Sequence, residues 1–257
     1  MTGQPGVPPG CQLIARDSVG STSEDAKALA ADGAPSLTIV WAREQTAGRG
    51  RHGRSWNSPR GNLYISVLLR PNWAIASAPQ IGFAVGAAMA RTIRDVAGAD
   101  VDLKWPNDLL LGGEKISGIL LESAARADGN LDWVVAGIGV NVESQPDVTG
   151  ATCLRAAGHD ISVEALLEGF LPNLVELLAI WERDGFGPIR AIWSGLALAL
   201  DTQLTVKLPD GTKAGTFSGI DDSGNLMLET AVGTEHIAVG DVFPVSTVSR
   251  ENGAGAN

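Results

Sequence analysis

The chain has 257 residues, 19 Lys+Arg against 29 Asp+Glu, a formal net charge of −10, and 44% hydrophobic against 19% charged residues. That composition buries a core and excludes wholesale disorder, while the negative total excludes a nucleic-acid binder relying on a broad basic surface. The length suits a large domain with a small one beside it, at roughly 100–200 residues per domain. One basic island breaks the acidic background: Arg43, Arg49, Arg51, Arg54 and Arg60 lie within one short stretch that holds a single acid, Glu44. An acidic protein that keeps such an island is expected to hold an anion there.

Cys11 and Cys153 stand far apart without Cys-x-x-Cys or His-x-x-x-His spacing, so neither a disulfide scaffold nor structural zinc is expected. The opening MTGQPGVPPG lacks the basic and apolar regions of a secretory signal, and no run of about 20 apolar residues is present. A cytoplasmic protein with no membrane or nucleic-acid partner is expected; nothing in the sequence decides its oligomeric state.

Residues 1–11 and 251–257 read as tails. A helix is expected over Glu24–Ala31, with Ser21 and Glu24 at capping-box spacing and Gly33 as its stop. Thr38–Trp41 and Leu63–Leu69 read as strands. A longer helix follows from Pro79 to Val96, ended by Gly98. Val101–Trp105 is strand-like up to Pro106, and Gly112-Gly113 joins Leu109–Leu111 to Lys115–Leu121 as a hairpin. Trp133–Val142 is an apolar run suited to a buried central strand. Helical periodicity returns over Val163–Arg183, capped by Ser162 and kinked at Pro172, and again over Phe186–Leu198. From 201 to 250 five short β segments suggest a small SH3-like barrel, leaving 12–200 as the larger domain.

Gly48-Arg49-Gly50-Arg51-His52-Gly53 matches G-x-G-x-x-G literally, but no helix follows, so the dinucleotide-binding reading fails. The glycines suit a loop that approaches a ligand with its backbone, and the arginines add rigid forks for phosphate or carboxylate. Lys115 opens an otherwise apolar strand, where an ammonium is costly unless it meets an anion. It would stabilise charge developing during attack on a phosphate, and Asp108 or Asn107 would hold Mg²⁺ through oxygen. Ordinary solvated or turn roles for Lys104 and Asp108 stay open at this point. His52, His159 and His236 stand apart from any nucleophile-plus-acid pattern.

The chain resembles the biotin protein ligases. The resemblance rests on Ser21-Thr22-Ser23, Glu44 through Trp56 (EQTAGRGRHGRSW), Gly61 through Ser66 (GNLYIS), Lys104-Trp105-Pro106-Asn107-Asp108, Lys115 through Leu120 (KISGIL) and Gly137-Ile138-Gly139-Val140-Asn141, in the family's order. It implies an α+β fold: a class II synthetase-like domain with a mixed or antiparallel sheet and flanking helices, plus the SH3-like β-barrel. It implies a two-step reaction using ATP and Mg²⁺, in which biotin is activated as biotinyl-5′-AMP. Biotin then passes to a lysine of the biotin carboxyl carrier domain of an acyl-CoA carboxylase.

Carried over residue by residue, Ser21, Thr22 and Gln45 are implied as polar contacts to biotin's head. Gly48, Gly50, Gly118 and Gly137 would give close backbone approach, and Trp56 a wall. Arg49 and Arg51 would close over carboxylate and phosphate, with Lys115 bridging both. Arg54, Lys104, Asn107, Asp108 and Asn141 would serve ATP, with Asp108 on the metal. The loop is expected to be mobile when empty and to order over the adenylate. Two departures stand out. Only about ten Pro/Gly-rich residues precede the catalytic pattern, so DNA-binding repression is not expected. The stretch Thr149-Gly150-Ala151-Thr152 lacks a tryptophan that stacks on adenine in some members. The competing readings are a lipoate–protein ligase, whose Arg-Arg-x-x-Gly-Gly-Gly loop is absent, and a non-catalytic biotin-binding module, which would not need Lys115.

Overall fold

The computed structural model describes residues 5–245. The larger, N-terminal part is built on a seven-stranded sheet in the order β1-β2-β3-β7-β6-β5-β4. Its strands are β1 (Gln12–Val19), β2 (Thr38–Gln45), β3 (Leu63–Leu69), β4 (Asp102–Lys104), β5 (Asp108–Leu111), β6 (Glu114–Ala125) and β7 (Leu131–Val140). Only β1 and β2 run parallel, so the sheet is mixed, as expected. Gly112 and Gly113 both take positive φ, the requirement of the tight hairpin turn the sequence proposed.

Alternation along the central strands sends side chains to two faces. Ile39, Trp41, Val67, Val134 and Ala136 enter the main core beneath α2 (Ala78–Thr92), α3 (Val163–Asp184) and α4 (Phe186–Ser194). Val40, Leu68 and Val135 face the other way, against Ala26 and Ala30 of α1 (Thr22–Ala31). Helix α1 covers only part of that second face. The uncovered part, beyond its N-terminus, is where Gly137, Gly139 and Gly118 stand.

Three local expectations change. Ser21 occupies the N-cap of α1 in extended conformation, yet its side chain makes no cap hydrogen bond. Glu24 pairs instead with Lys27 and Arg49, so the capping box is not formed. Helix α2 gives way after Thr92 to one π turn over Ile93–Ala97 before Gly98 ends it in the left-handed region. Helix α3 runs through Pro172 as one helix, with Ser162 Oγ accepting from Ala165 N–H as expected. Residues 1–4 and 251–257, read as tails, lie outside the described residues. Within the same N-terminal stretch Pro5 is buried and Gly6 N–H donates to Glu168 Oε1 at 2.8 Å, so that part is docked on α3.

The C-terminal strands β8 (Gln203–Leu208), β9 (Gly211–Ile220), β10 (Leu226–Thr230), β11 (Gly233–Ile237) and β12 (Asp241–Pro244) form an antiparallel sheet ordered β11-β10-β9-β8-β12. Its apolar face shares one continuous core with α2 and α4 through Phe217, Ile220 and Leu226. Trp105 Nε1 donates to Gly224 O at 2.9 Å across that junction.

Candidate active site

A cavity of about 460 Å³ opens on the α1 side of the large sheet. Its floor is glycine: β-carbons built at Gly137 and Gly139 would stand 2.5 Å from Ser23 Oγ and Trp56 Nε1 respectively, and one at Gly118 would stand 3.1 Å from Trp56 Cζ3. Side chains at these inward positions would close the space, so the backbone itself lines it.

One wall is a polar network at the start of α1. Gln45 Oε1 accepts from Thr22 N–H at 2.9 Å and lies 3.1 Å from Thr22 Oγ1, while Gln45 Nε2 donates to Ser58 Oγ at 2.9 Å. Ser66 Oγ lies 2.8 Å from Thr22 Oγ1 and 3.0 Å from Ser23 Oγ. These hydroxyls hold one another in fixed directions beside the first N–H groups of a helix, an arrangement suited to an uncharged polar head group. Trp56 forms the opposite wall. Its indole N–H is buried and has no partner among the described residues, and Lys115 Nζ sits 5.5 Å from the centre of its ring.

The rim is cationic. Arg51 Nη1 donates to Asn107 Oδ1 at 2.9 Å, Arg54 Nη2 reaches Asp241 Oδ2 at 2.6 Å, and Arg49 pairs with Glu24. Asp108 lies between Lys115 Nζ at 2.5 Å and Lys104 Nζ at 2.9 Å. Burial works to raise the Asp241 carboxyl, but the hydrogen bond from Arg54 and the charges of Arg54, Arg51 and His52 outweigh it and hold it below the ordinary carboxylate value. Glu24 and Asp241 thus supply counter-charge to the arginines of the loop.

Of the residues expected at the site, Ser21, Thr22, Gln45, Arg49, Gly50, Arg51, Arg54, Trp56, Asn107, Asp108, Lys115, Gly118, Gly137 and Asn141 all line this one cavity. Gly48 and Lys104 do not. Gly48 lies behind the wall, where a β-carbon would stand 2.5 Å from both Ser58 Oγ and Trp56 O. Lys104 turns toward the C-terminal sheet and donates to Val242 O at 3.0 Å. Asn141 spends its amide N–H on Thr152 O at 3.0 Å, which fastens the Gly150–Thr152 wall to the end of β7.

The donor set does not fit a resident Mg²⁺. Both oxygens of Asp108 face lysines, Asn107 Oδ1 is taken by Arg51, and no three His, Cys, Asp or Glu gather to hold an ion among the described residues. A divalent ion here would arrive on the phosphates of a nucleotide, as Mg²⁺ commonly does.

Sequence reasoning missed about half of the lining residues, and four contributors bear most on the site's geometry. Ser23 stood inside a quoted motif without a role, and Gly139 follows Gly137 at the strand period of two, a legible signal. Asn62 Oδ1 accepts from the N–H groups of Val142, Glu143 and Ser144 at 2.8, 2.9 and 3.2 Å, fixing the turn after β7. Asp241 carried no signal, because its partner Arg54 is 187 positions away.

The chain is similar to known proteins in both sequence and fold. Residues 17–141 match the biotin/lipoate A/B protein ligase family and residues 200–243 the biotin protein ligase C terminal domain. A biotin–[acetyl-CoA-carboxylase] ligase of Paracoccus denitrificans is 37% identical over 233 residues, covering 87% of this chain and 96% of the relative. The bifunctional ligase/repressor BirA of Bacillus subtilis is also 37% identical, covering 91% of this chain and 74% of that protein. The biotin protein ligase of Aquifex aeolicus, solved with biotin and ATP, superposes with a TM-score of 0.78 at 28% identity, covering 90% of this chain and 97% of that one. The chain belongs to the biotin protein ligases.

Proposed function

We infer that the chain is an ATP-dependent ligase that joins biotin to protein, and that this cavity is where both steps occur. The observation that carries the reading is the conjunction, in one cavity, of a locked hydroxyl–amide network, a glycine floor and a cationic rim. It is supported by the likeness to a ligase solved with biotin and ATP. Biotin's uncharged ring head fits the Thr22–Gln45–Ser66 end, which directs its carboxylate toward Lys115 and the arginines.

Carboxylate and triphosphate repel one another, and the rim cations offset that repulsion while holding the two in line. A carboxylate oxygen attacks the α-phosphorus, the bond to the β-phosphate oxygen breaks, and pyrophosphate leaves with its electron pair. Lys115 stabilises the charge that develops between them, with Arg49 and Arg51 above. The amine of an acceptor lysine then attacks the acyl carbon, an amide bond forms, the acyl–phosphate oxygen bond breaks, and AMP leaves as the amine proton passes to solvent. Mg²⁺ belongs to the nucleotide as it binds, and Asp108 serves as counter-ion to two lysines.

The acceptor we propose is the biotin carboxyl carrier domain of an acyl-CoA carboxylase, in keeping with the Paracoccus relative's name. We place the reaction in the cytoplasm, which suits two free cysteines; no described helix is long and apolar enough to cross a membrane. The deciding experiment is exchange of labelled pyrophosphate into ATP. Exchange that depends on biotin supports the reading, whereas exchange that requires lipoate, or that neither compound supports, overturns it.

A further inference from the structure

Between Arg49 and Ser55 every residue is at least partly exposed, so no apolar burial holds the glycine–arginine loop in place. Polar ties do: Arg49 to Glu24 and Arg51 to Asn107 on the large-sheet side, and others that reach across to the C-terminal sheet. Asp241 is the first residue of β12, paired with Lys207 of β8, and its carboxylate lines the active-site cavity. Oδ2 lies 2.6 Å from Arg54 Nη2 and Oδ1 lies 3.5 Å from Arg51 Nη1, while the neighbouring Gly240 O accepts from Arg51 Nη2 at 3.3 Å. Gly240 fits because a β-carbon there would stand 3.0 Å from Val206 Cγ1 and 3.1 Å from Lys207 O, which lets the chain press against β8 and aim Asp241 at the loop.

We propose that Asp241 is a positioning residue, an ionic latch by which the C-terminal sheet fastens the Gly48–Gly53 loop over the cavity and so retains the acyl-adenylate until the acceptor lysine arrives. Its retention role rests on the ligase reading. A single exposed ion pair would contribute little, and the Arg54 side chain is 66% exposed. Here one carboxylate, itself 20% exposed, collects two arginines and is the only side chain of the described C-terminal sheet that pairs with the loop. Because Arg51 also faces the reacting groups, loss of the latch touches formation as well, but Lys115 and the biotin end stay in place, so retention suffers more than formation.

The test uses the full chain. After biotinyl-5′-AMP is formed and free small molecules are removed, its release is followed in wild type, Asp241→Asn and Asp241→Glu. Release from Asp241→Asn is expected to be roughly tenfold faster, with formation at saturating biotin and ATP lowered by less than that and retention restored by Asp241→Glu. Release should quicken with salt in both proteins, because Lys115 and the arginines hold an anion, but the difference between wild type and Asp241→Asn should shrink as salt screens the latch. Wild-type release from Asp241→Asn, or equal loss of formation and retention, overturns the latch.

Trypsin cleavage after Arg49, Arg51 and Arg54 in the ligand-free chain reads the same contact without any adenylate. Faster cutting in Asp241→Asn supports the latch, and equal cutting refutes it. A wild-type chain that makes no adenylate would therefore overturn the ligase reading separately. If Asp241→Asn does not fold, Arg54→Gln, altered at an exposed side chain, is expected to speed release and the cutting after Arg49 and Arg51; unchanged rates there overturn the proposal.

Discussion

Lys115 sits at the start of an apolar strand, but its ammonium is not stranded: Asp108 is 2.5 Å away on the paired strand. Lys104 holds the other oxygen of that carboxylate, so removing Lys115 leaves Asp108 with a partner. The Lys115 side chain is 35% exposed, and its ion pair contributes no more than about 1 kcal/mol to stability. Its role toward a developing negative charge is worth more, roughly 10²–10³ in rate. Lys115→Ala is therefore expected to lower biotin-dependent adenylate formation by at least that factor while the melting temperature stays near wild type. A variant that unfolds, or one that retains full exchange activity, would show the lysine to be structural.

At the scale of elements, the site is made by what β7 and β6 lack. Gly118, Gly137 and Gly139 face the cavity where neighbouring positions of the same strands carry Val135 and Glu122 beneath α1. The N-terminus of α1 is bent to the same purpose: its capping box goes unmade, Ser21 faces the cavity, and Glu24 turns to Lys27 and Arg49. A local rule is broken where the ligand needs the groups. Gly139→Ala tests the floor directly. Its methyl would stand 2.5 Å from Trp56 Nε1, so the indole must move into the cavity. Biotin affinity by calorimetry is expected to fall at least roughly tenfold, with a stability loss of about 1–3 kcal/mol typical of overpacking.

Across the whole molecule, the two sheets are joined by contacts that also organise the site. Asp221 builds the turn whose Gly224 O receives the Trp105 indole, accepting from Ser223 and Asn225 N–H at 2.8 and 2.9 Å and lying 2.7 Å from His236 Nδ1. Burial works to raise its carboxyl, but the hydrogen bonds from His236, Asn225 and Ser223 prevail and bring it down to about 2, from an ordinary 3.8. A carboxyl depressed in the folded state stabilises at pH above its unfolded value, and that contribution is lost as pH falls through the folded one. Wild type's stability advantage over Asp221→Asn, followed by tryptophan fluorescence during denaturant unfolding, is therefore expected to be present above pH 3.8, to shrink progressively as pH falls through that value, and to be lost below about pH 2. An advantage that persists unchanged to the acid end would contradict this assignment.

The motifs, the order of most elements and about half of the cavity's lining residues were legible in the sequence, because each rests on short-range chemistry: alternation, turn glycines, and cations crowded beyond what solvation needs. Strand β1 was not, since Gln12–Val19 is a largely exposed edge strand with Arg16 and Asp17 interrupting any period. Nor was the company each cation keeps. That Lys104 turns away to Val242, that Asp108 balances two lysines rather than fitting a resident metal, and that Asp241 reaches the loop arginines all depend on chain segments brought together by the shared core. Residue type and spacing determine which chemistry a segment can offer; which counter-charge meets it is decided only when the two sheets pack, because electrostatic pairing depends on distance in space and not along the chain.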